Sequence, residues 1–421
     1  MLRLAIVSLM ILAAVFTAGC FGGQETDDIA YVLVMGLDKS KQEGKLDVTY
    51  QMAIPRALTG EGASGEPALS ITLTAESTSE ARDLFNSVVA RTLNLSHTKV
   101  LIIGESLARQ GLGEVLGVFM RFREFRGGMK IIIVNDDTAQ NFISKNKPKM
   151  ELVVSRYYET ILLSADQSSY FPSVNLHDFY SRMKSGSAAP IAVLAGISGK
   201  DSEQASSIPK KPSDSVDDYL AGQIPRGEEE TDKEKPNLAE FLGTAVFRED
   251  KLVGKLTNQE TRMMAILRNN LQNPFFTIDD PLVAGKHIVL NLRLGRNTKL
   301  DADIHNDQAK LKGEIFLEGE ISSIGSGVSY EREDYRKLLE EHISQTIKQD
   351  ILTMLHKTQG MRADVVGFGY PARKNFRTYN EFMQIDWADL YSKADIDVTV
   401  KTRIRRTGLM WKTSPINGSD N

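Results

Sequence analysis

The first twenty residues, MLRLAIVSLMILAAVFTAGC, constrain the whole chain, because they decide where the remainder must fold. Arg3 supplies an early positive charge, residues 4–16 form an apolar run, and small residues follow it. The run has the length of a signal peptide and is too short to span a bilayer as a helix, which takes roughly 20 apolar residues. The segment therefore predicts export of the chain.

Cys20 is the single cysteine among the 421 residues, and it follows Thr17-Ala18-Gly19. A cysteine after small residues at the end of such a run is the one that bacterial lipoprotein processing alkylates with diacylglycerol. We expect cleavage after Gly19, an S-diacylglycerol group on Cys20 and N-acylation of the new terminus. Stable anchoring takes about two acyl chains, and this lipid group supplies them. The alternative is an ordinary secretory signal in which Cys20 has no role. With its one cysteine used for lipid, the chain has none left for a disulfide or a thiolate metal site.

Composition changes along the chain suggest a domain plan. Residues 199–237 are rich in Ser, Pro, Lys, Asp and Glu and offer little to bury, which predicts a disordered linker. The plan begins with a signal peptide (1–19), a tether (20–26) and a mixed α/β domain (27–198). After the linker (199–237) come an α+β domain that could comprise two subdomains (238–413) and a disordered tail (414–421). The net charge of −4 gives no reason to expect nucleic acid as a partner.

The N-terminal domain alternates strand and helix patterns. Residues 30–35, 46–54, 69–73, 97–105 and 130–134 read as strands. Helical spacing covers 81–89, with Ala81, Leu84, Phe85, Val88 and Val89 on one apolar face after a capping box of Ser77 and Glu80. Further helices are expected at 112–122, 153–163 and 174–183. This order predicts mixed α/β packing.

The C-terminal domain carries the strongest helix pattern, over 331–356. It follows a predicted hairpin at 241–256, a helix from Thr257 and strands at 288–294, 300–304 and 310–321, and it precedes a strand at 395–404. A long helix on one face of an antiparallel sheet is the expected arrangement, and the fold class is α+β with several domains.

Catalytic and cofactor motifs are missing from the sequence. It contains no H-E-x-x-H, G-x-S-x-G, Walker A or G-x-G-x-x-G pattern. The six histidines show no metal-ligand spacing. We expect a packing role for His342 and structural hydrogen bonding for His97, and contact with a partner is the alternative for His97. No catalytic, cofactor-binding or metal-binding residue is predicted, and the chain is expected not to be an enzyme.

Residues 121–126, RFREFR, place three arginines and Glu124 at the end of a predicted helix. One interpretation is a solvated face with local ion pairs. The other is a surface that docks a partner or lipid headgroups.

Several segments together resemble the Ger(x)C family of spore-germination lipoproteins. They are the lipobox, MGLD at 35–38, HTKVLIIGE at 97–105, Arg121 with Arg126, GTAVFREDKLVGKLTNQETR at 243–262, and the closing segments at 387–391 and 404–408. The resemblance covers nearly all of the mature chain. The sequence differs at Phe21-Gly22-Gly23, where the family usually has an aromatic residue followed by Asp and Arg.

The resemblance implies the C subunit of a nutrient germinant receptor, lipid-anchored on the outer face of the spore inner membrane. Its partners would be a multi-pass A-type subunit and a transporter-like B-type subunit. Only the lipidation site, Cys20, transfers from the family. Two other classes stay open: a solute-binding lipoprotein of a transporter, which should show two similar α/β lobes around a cleft, and a secreted hydrolase.

Overall fold

The computed structural model describes Arg3 and residues 29–53, 68–148, 151, 153–198, 218–225, 239–306 and 308–408. The predicted tether, the tail, Cys20 and most of the predicted linker lie outside these residues. Among the helices that the structure describes, none combines the length and the hydropathy needed to cross a bilayer.

The first sheet has nine strands. They are β1 (Ile29–Lys39), β2 (Leu46–Ala53), β3 (Ala68–Ala75), β4 (Thr92–Asn94), β5 (Val100–Gly104), β6 (Lys130–Val134), β7 (Ile191–Ile197), β8 (Ala239–Arg248) and β9 (Lys251–Leu256). The spatial order is β3-β2-β1-β5-β6-β7-β8-β9, and the short β4 also pairs with β1. The four central strands, β1, β5, β6 and β7, are parallel, and the outer pairs are antiparallel.

The parallel strands are apolar at nearly every position because helices cover both faces of the sheet. Odd and even residues of β5 and β6 belong to two separate cores: Leu101 and Ile131 to one, Ile102 and Ile132 to the other. The first core packs against α1 (Thr78–Val88), α2 (Glu105–Gln110), α3 (Gly113–Arg121) and α7 (Leu176–Ser185). The second packs against α4 (Ala139–Lys145), α5 (Val154–Leu163) and α6 (Ala165–Ser168).

The predicted hairpin at 241–256 differs from its expected place. The sequence predicts it in the C-terminal domain, whereas β8 and β9 extend the first sheet, with Ile191 of β7 opposite Val246 of β8. The reason lies in β7, which is buried along its whole length. Without β8, the backbone groups on one edge of β7 would lack a partner strand.

Part of the predicted linker is also packed. Within residues 218–225, Ala221 is buried and its carbonyl accepts a hydrogen bond from Asn135 Nδ2 at 2.8 Å. The N–H of Gly222 donates to Glu240 Oε2 at 2.7 Å. This short segment therefore belongs to the body of the protein.

The second sheet has five strands: β10 (Phe275–Asp279), β11 (His287–Leu294), β12 (Lys299–His305), β13 (Gln308–Ile324) and β14 (Asp395–Arg406). The long β13 pairs antiparallel with β12 along its first part and with β11 along its second. On its other edge it pairs with β14, and this pair is parallel, in contrast to the antiparallel sheet that the sequence predicts. The parallel pair arises because a long helical connection separates the two strands in the chain.

That connection contains α9 (Glu333–Gly360), followed by short helices: α10 (Gly369–Ala372), a 3-10 turn (Arg373–Asn375), α11 (Tyr379–Phe382) and α12 (Trp387–Ser392). α9 covers the edge of β14, since Ser344 Oγ accepts the N–H of Thr402 at 3.0 Å and Glu340 Oε1 accepts that of Ile404 at 2.8 Å. α8 (Asn258–Leu267) joins the two sheets and starts with the predicted capping box of Thr257 and Glu260. The fold is α+β, as the sequence predicts.

Candidate functional site

Polar side chains from both halves of the chain meet at the carboxyl ends of β5 and β6. Glu105 follows β5 directly, Asn135 and Asp136 follow β6, and Lys255 is the next-to-last residue of β9. In open α/β sheets this edge is where ligand sites are usually built. We refer to these four residues as the junction cluster.

The ammonium of Lys255 is the centre of the junction cluster. Its Nζ lies 2.7 Å from Glu105 Oε2, 2.6 Å from Asn135 Oδ1 and 3.1 Å from Asp136 Oδ1. The side chains of Lys255 and Glu105 are only 12% and 8% exposed. An ammonium has three donors, so the three acceptors saturate it. The cluster therefore holds a buried cation whose hydrogen bonds are complete.

The carboxylate of Glu105 is equally well bound. It accepts the N–H of Asp136 at 2.7 Å and the Nε–H of Arg109 at 2.8 Å, besides the ammonium of Lys255. Burial alone would raise the pKa of Glu105, but these bonds outweigh it and hold that pKa below its ordinary value. At neutral pH the group is ionised and paired. The junction cluster therefore acts as a cross-link between the two halves of the chain, because its charged groups form ion pairs with each other.

Asp38, the last residue of the MGLD motif, orders the adjacent edge. Its two carboxylate oxygens accept the N–H groups of Ala139 at 2.7 Å and Gln140 at 2.9 Å, the first two residues of α4. Burial raises the pKa of Asp38 above its usual range, against these two bonds. The MGLD motif thus fixes the start of α4, which packs on the face of the sheet opposite to α2.

Arg262 is a second cross-link. It is 4% exposed, and it donates from Nε to the Ser168 carbonyl at 3.0 Å and from Nη1 to the Phe275 carbonyl at 2.9 Å. Its guanidinium carbon lies 3.9 Å from the ring centroid of Tyr170 and 4.8 Å from that of Phe276. One side chain therefore binds the helical layer of the first sheet to β10 of the second.

Asp364 is a third. Its oxygens accept the N–H groups of Gly367 and Gly369 and, at 3.0 Å, the indole N–H of Trp387, while its carbonyl accepts the N–H of Ala189. Burial raises the pKa of Asp364. Trp387 belongs to the closing motif, and it is buried with its one polar atom satisfied.

The residues singled out from the sequence fall in different places. Cys20 lies outside the described residues. The His97 ring contacts the Tyr31 ring edge-on with centroids 5.1 Å apart, and His342 lies half-buried on α9. Over the ranges the structure describes, no three His, Cys, Asp or Glu side chains are grouped so as to hold a metal ion.

The arginines of RFREFR are not paired with the glutamate among them. Glu124 instead forms an ion pair with Arg82 at 2.8 Å and accepts the N–H of Leu95 at 3.3 Å. Beside this pair lies a cavity of about 150 Å³ lined partly by Arg82, Phe122 and Phe125. Arg121, Arg123 and Arg126 remain exposed.

Sequence reasoning missed the role of Lys255. The available signal was a lysine between Gly254 and Leu256 in a strand of otherwise apolar neighbours, a position where a buried partner is required. Its partner, Glu105, lies 150 positions away, and the sequence pattern does not connect the two.

Comparison with known proteins matches both halves. The family model for the spore germination protein N-terminal domain matches residues 22–198, and the model described as spore germination B3/GerAC like, C-terminal, matches residues 242–408. The chain is 23% identical over 416 residues to spore germination protein KC of Bacillus subtilis (strain 168), covering 97% of this chain and 96% of that one. It is 19% identical over 407 residues to spore germination protein GerQC of Bacillus cereus, covering 95% and 98%.

A solved structure has the same fold. The crystal structure of the GerBC protein superposes with a TM-score of 0.52 at 15% identity, covering 88% of this chain and 96% of that chain. At this identity the likeness establishes the architecture.

Proposed function

The chain belongs to the Ger(x)C family of spore germination proteins, and from that premise we propose that it is the lipid-anchored C subunit of a nutrient germinant receptor. Cys20, acylated after cleavage at Gly19, anchors it on the outer face of the spore inner membrane. It is non-catalytic, and it supports assembly or signalling of the receptor in germination. Its partners are the integral A-type and B-type subunits.

The observation that carries the proposal is that side chains of the motifs that resemble the family bind groups of the other half of the chain. Glu105 of the N-terminal half pairs with Lys255 of the C-terminal half, and Arg262 binds the carbonyl of Ser168. A body held by such buried cross-links is suited to pass a displacement from one surface to another without chemistry. This supports a conformational role within a complex.

The same contacts argue against the solute-binding alternative. A binding protein with two similar lobes needs a cleft between them that can open and close. In this chain the first sheet continues through β8 and β9 into the C-terminal half, and the second sheet differs from it in size and topology. The shared sheet favours one body over two hinged lobes.

Two measurements test the proposal. Mass spectrometry of the mature N-terminus should find a diacylglyceryl group on Cys20 with cleavage after Gly19, and a free thiol would contradict the anchor. Affinity purification from detergent-solubilised spore inner membrane should recover two integral membrane subunits. The Cys20→Ala variant is the matched comparison, and it should leave the membrane fraction and lose both subunits.

The alternative predicts a different result. A ligand screen by thermal shift would raise the melting temperature with one small solute if the chain were a solute-binding protein. Lipid-modified protein that co-purifies with no membrane subunit, together with such a shift, would replace the receptor assignment by the binding-protein assignment.

A further inference from the structure

The chain enters its folded body at one end of the first sheet. Ile29 opens β1, and its Cα lies opposite that of Thr92, which opens the parallel β4. Arg91, immediately before Thr92, is exposed. Eight residues, 21–28, separate Cys20 from Ile29. Even fully extended they span about 30 Å, so an acylated Cys20 would hold this end of the sheet close to the bilayer.

The RFREFR turn lies at the same end. Leu95, the first residue after β4, donates its N–H to Glu124, and this places the turn against the β4 end of the sheet. The following strand, β6, starts at Lys130, whose N–H donates to the carbonyl of Lys99 just before β5. The turn therefore belongs to the amino-terminal edge of the parallel strands, where β1 also begins.

Four exposed arginines at this edge form what we call the arginine surface: Arg91, Arg121, Arg123 and Arg126. Across the described residues, none of the four has a carboxylate within ion-pair distance. Glu124, the nearest acid in sequence to three of them, is already neutralised by Arg82, which also lies 4.9 Å from the ring centroid of Phe122. The four guanidinium groups therefore carry positive charge that no ion pair within the described residues neutralises, on a chain whose net charge is −4.

An apolar side chain stands near the same edge. Val88 ends α1, four positions before Thr92, and it is 63% exposed. This edge therefore exposes an aliphatic side chain as well as arginines, and surfaces that lie at the headgroup and acyl boundary of a membrane combine these two types.

We propose that the arginine surface binds the phosphate groups of anionic phospholipids in the bilayer that holds the Cys20 lipid, and so fixes the orientation of the body. The inference rests on the proposed anchor. Guanidinium groups match phosphate oxygens with two parallel hydrogen bonds, which favours this ligand. Each arginine close to an anionic surface strengthens binding about fivefold, so four of them together orient a body that the acyl chains alone would leave free to rotate.

Vesicle binding of the unacylated chain tests the surface without the anchor. The probe is the mature chain from residue 20 carrying Cys20→Ser. It is sedimented with vesicles of phosphatidylcholine alone or with vesicles in which about one lipid in three is phosphatidylglycerol. The test variant replaces Arg91, Arg121, Arg123 and Arg126 by Gln. The matched control replaces four exposed cations of the C-terminal half by Gln: Lys299, Lys348, Lys401 and Arg403.

The parent and the control should bind the anionic vesicles at low salt and bind phosphatidylcholine at least tenfold more weakly. The test variant should lose at least tenfold on anionic vesicles while keeping its melting temperature and circular dichroism. Equal binding by the test variant and the control would overturn the inference, and this is also the result expected if the arginines serve an acidic protein partner. A negative result here would not contradict the proposed lipid anchor, because mass spectrometry of Cys20 tests the anchor separately.

Discussion

Gly104 and Asp38 lie so close that a Cβ at position 104 would overlap the Oδ1 of Asp38. Asp38 cannot easily move away, since its oxygens hold the N–H groups of Ala139 and Gln140. The glycine of HTKVLIIGE and the aspartate of MGLD are therefore one structural unit, although 66 positions separate them.

The first prediction follows from this contact. Gly104→Ala should lower the free energy of unfolding by about 1–3 kcal/mol, because Asp38 must shift and weaken its bonds to α4. Denaturant unfolding measures the change. Gly117→Ala is the control, since a Cβ there meets nothing within 4 Å and the residue lies inside α3, where alanine is favoured. Equal losses in the two variants would contradict the explanation.

The second prediction concerns Lys255. Lys255→Met should destabilise the protein by about 3 kcal/mol, because it leaves the carboxylate of Glu105 buried without its main cation. Lys393→Met removes an ion pair whose side chains are 73% and 37% exposed, and it should change the free energy of unfolding by less than about 0.5 kcal/mol. If adding Glu105→Gln to Lys255→Met recovered no stability, the buried charge would not be the cause.

The third prediction is a pH dependence. The pKa of Glu105 is lower in the folded state than in the unfolded chain, so its contribution is fully present above the unfolded value, about 4.3, and is lost as the pH falls through the folded value. The difference in unfolding free energy between the parent and Glu105→Gln should be constant near pH 7 and shrink below about pH 4. Urea unfolding between those limits checks it. Glu114→Gln, at an exposed position on α3, should show no such change.

The fourth prediction concerns Arg262. Arg262→Lys should cost about 2 kcal/mol, because one ammonium cannot reach both the Ser168 and Phe275 carbonyls and cannot stack flat on Tyr170. Thermal unfolding and near-ultraviolet circular dichroism report the loss and the altered tyrosine environment. Arg248→Lys, at an exposed strand end, is the control, and a comparable loss there would remove Arg262 from its assigned role.

Periodic elements could be predicted from sequence because local spacing carries them. The α9 pattern and the alternation of β14 gave the right type and nearly the right bounds, with Ile343, Ile347 and Ile351 buried as expected. The seven-residue α4 was missed, since it is too short to show a repeat, and it depends on Asp38 from another part of the chain. β10 was missed for a similar reason.

Spacing also could not say which apolar faces are covered. Leu84 and Val88 share the helical stripe with Phe85, yet Phe85 is buried while Leu84 and Val88 are 38% and 63% exposed. A periodic pattern identifies a face, and burial depends on which distant element packs there. The junction cluster escaped prediction for the same reason, because its partners come together only when β9 joins the first sheet.

The membership of β8 and β9 in the first sheet also bears on how the protein matures. A chain that has been synthesised only as far as residue 198 lacks two of the nine strands, the ammonium of Lys255 and a neighbour for the apolar β7. The first sheet of such a chain therefore stays incomplete until nearly sixty more residues have been added. During that interval the uncovered edge of β7 exposes unpaired backbone groups that can pair with another chain.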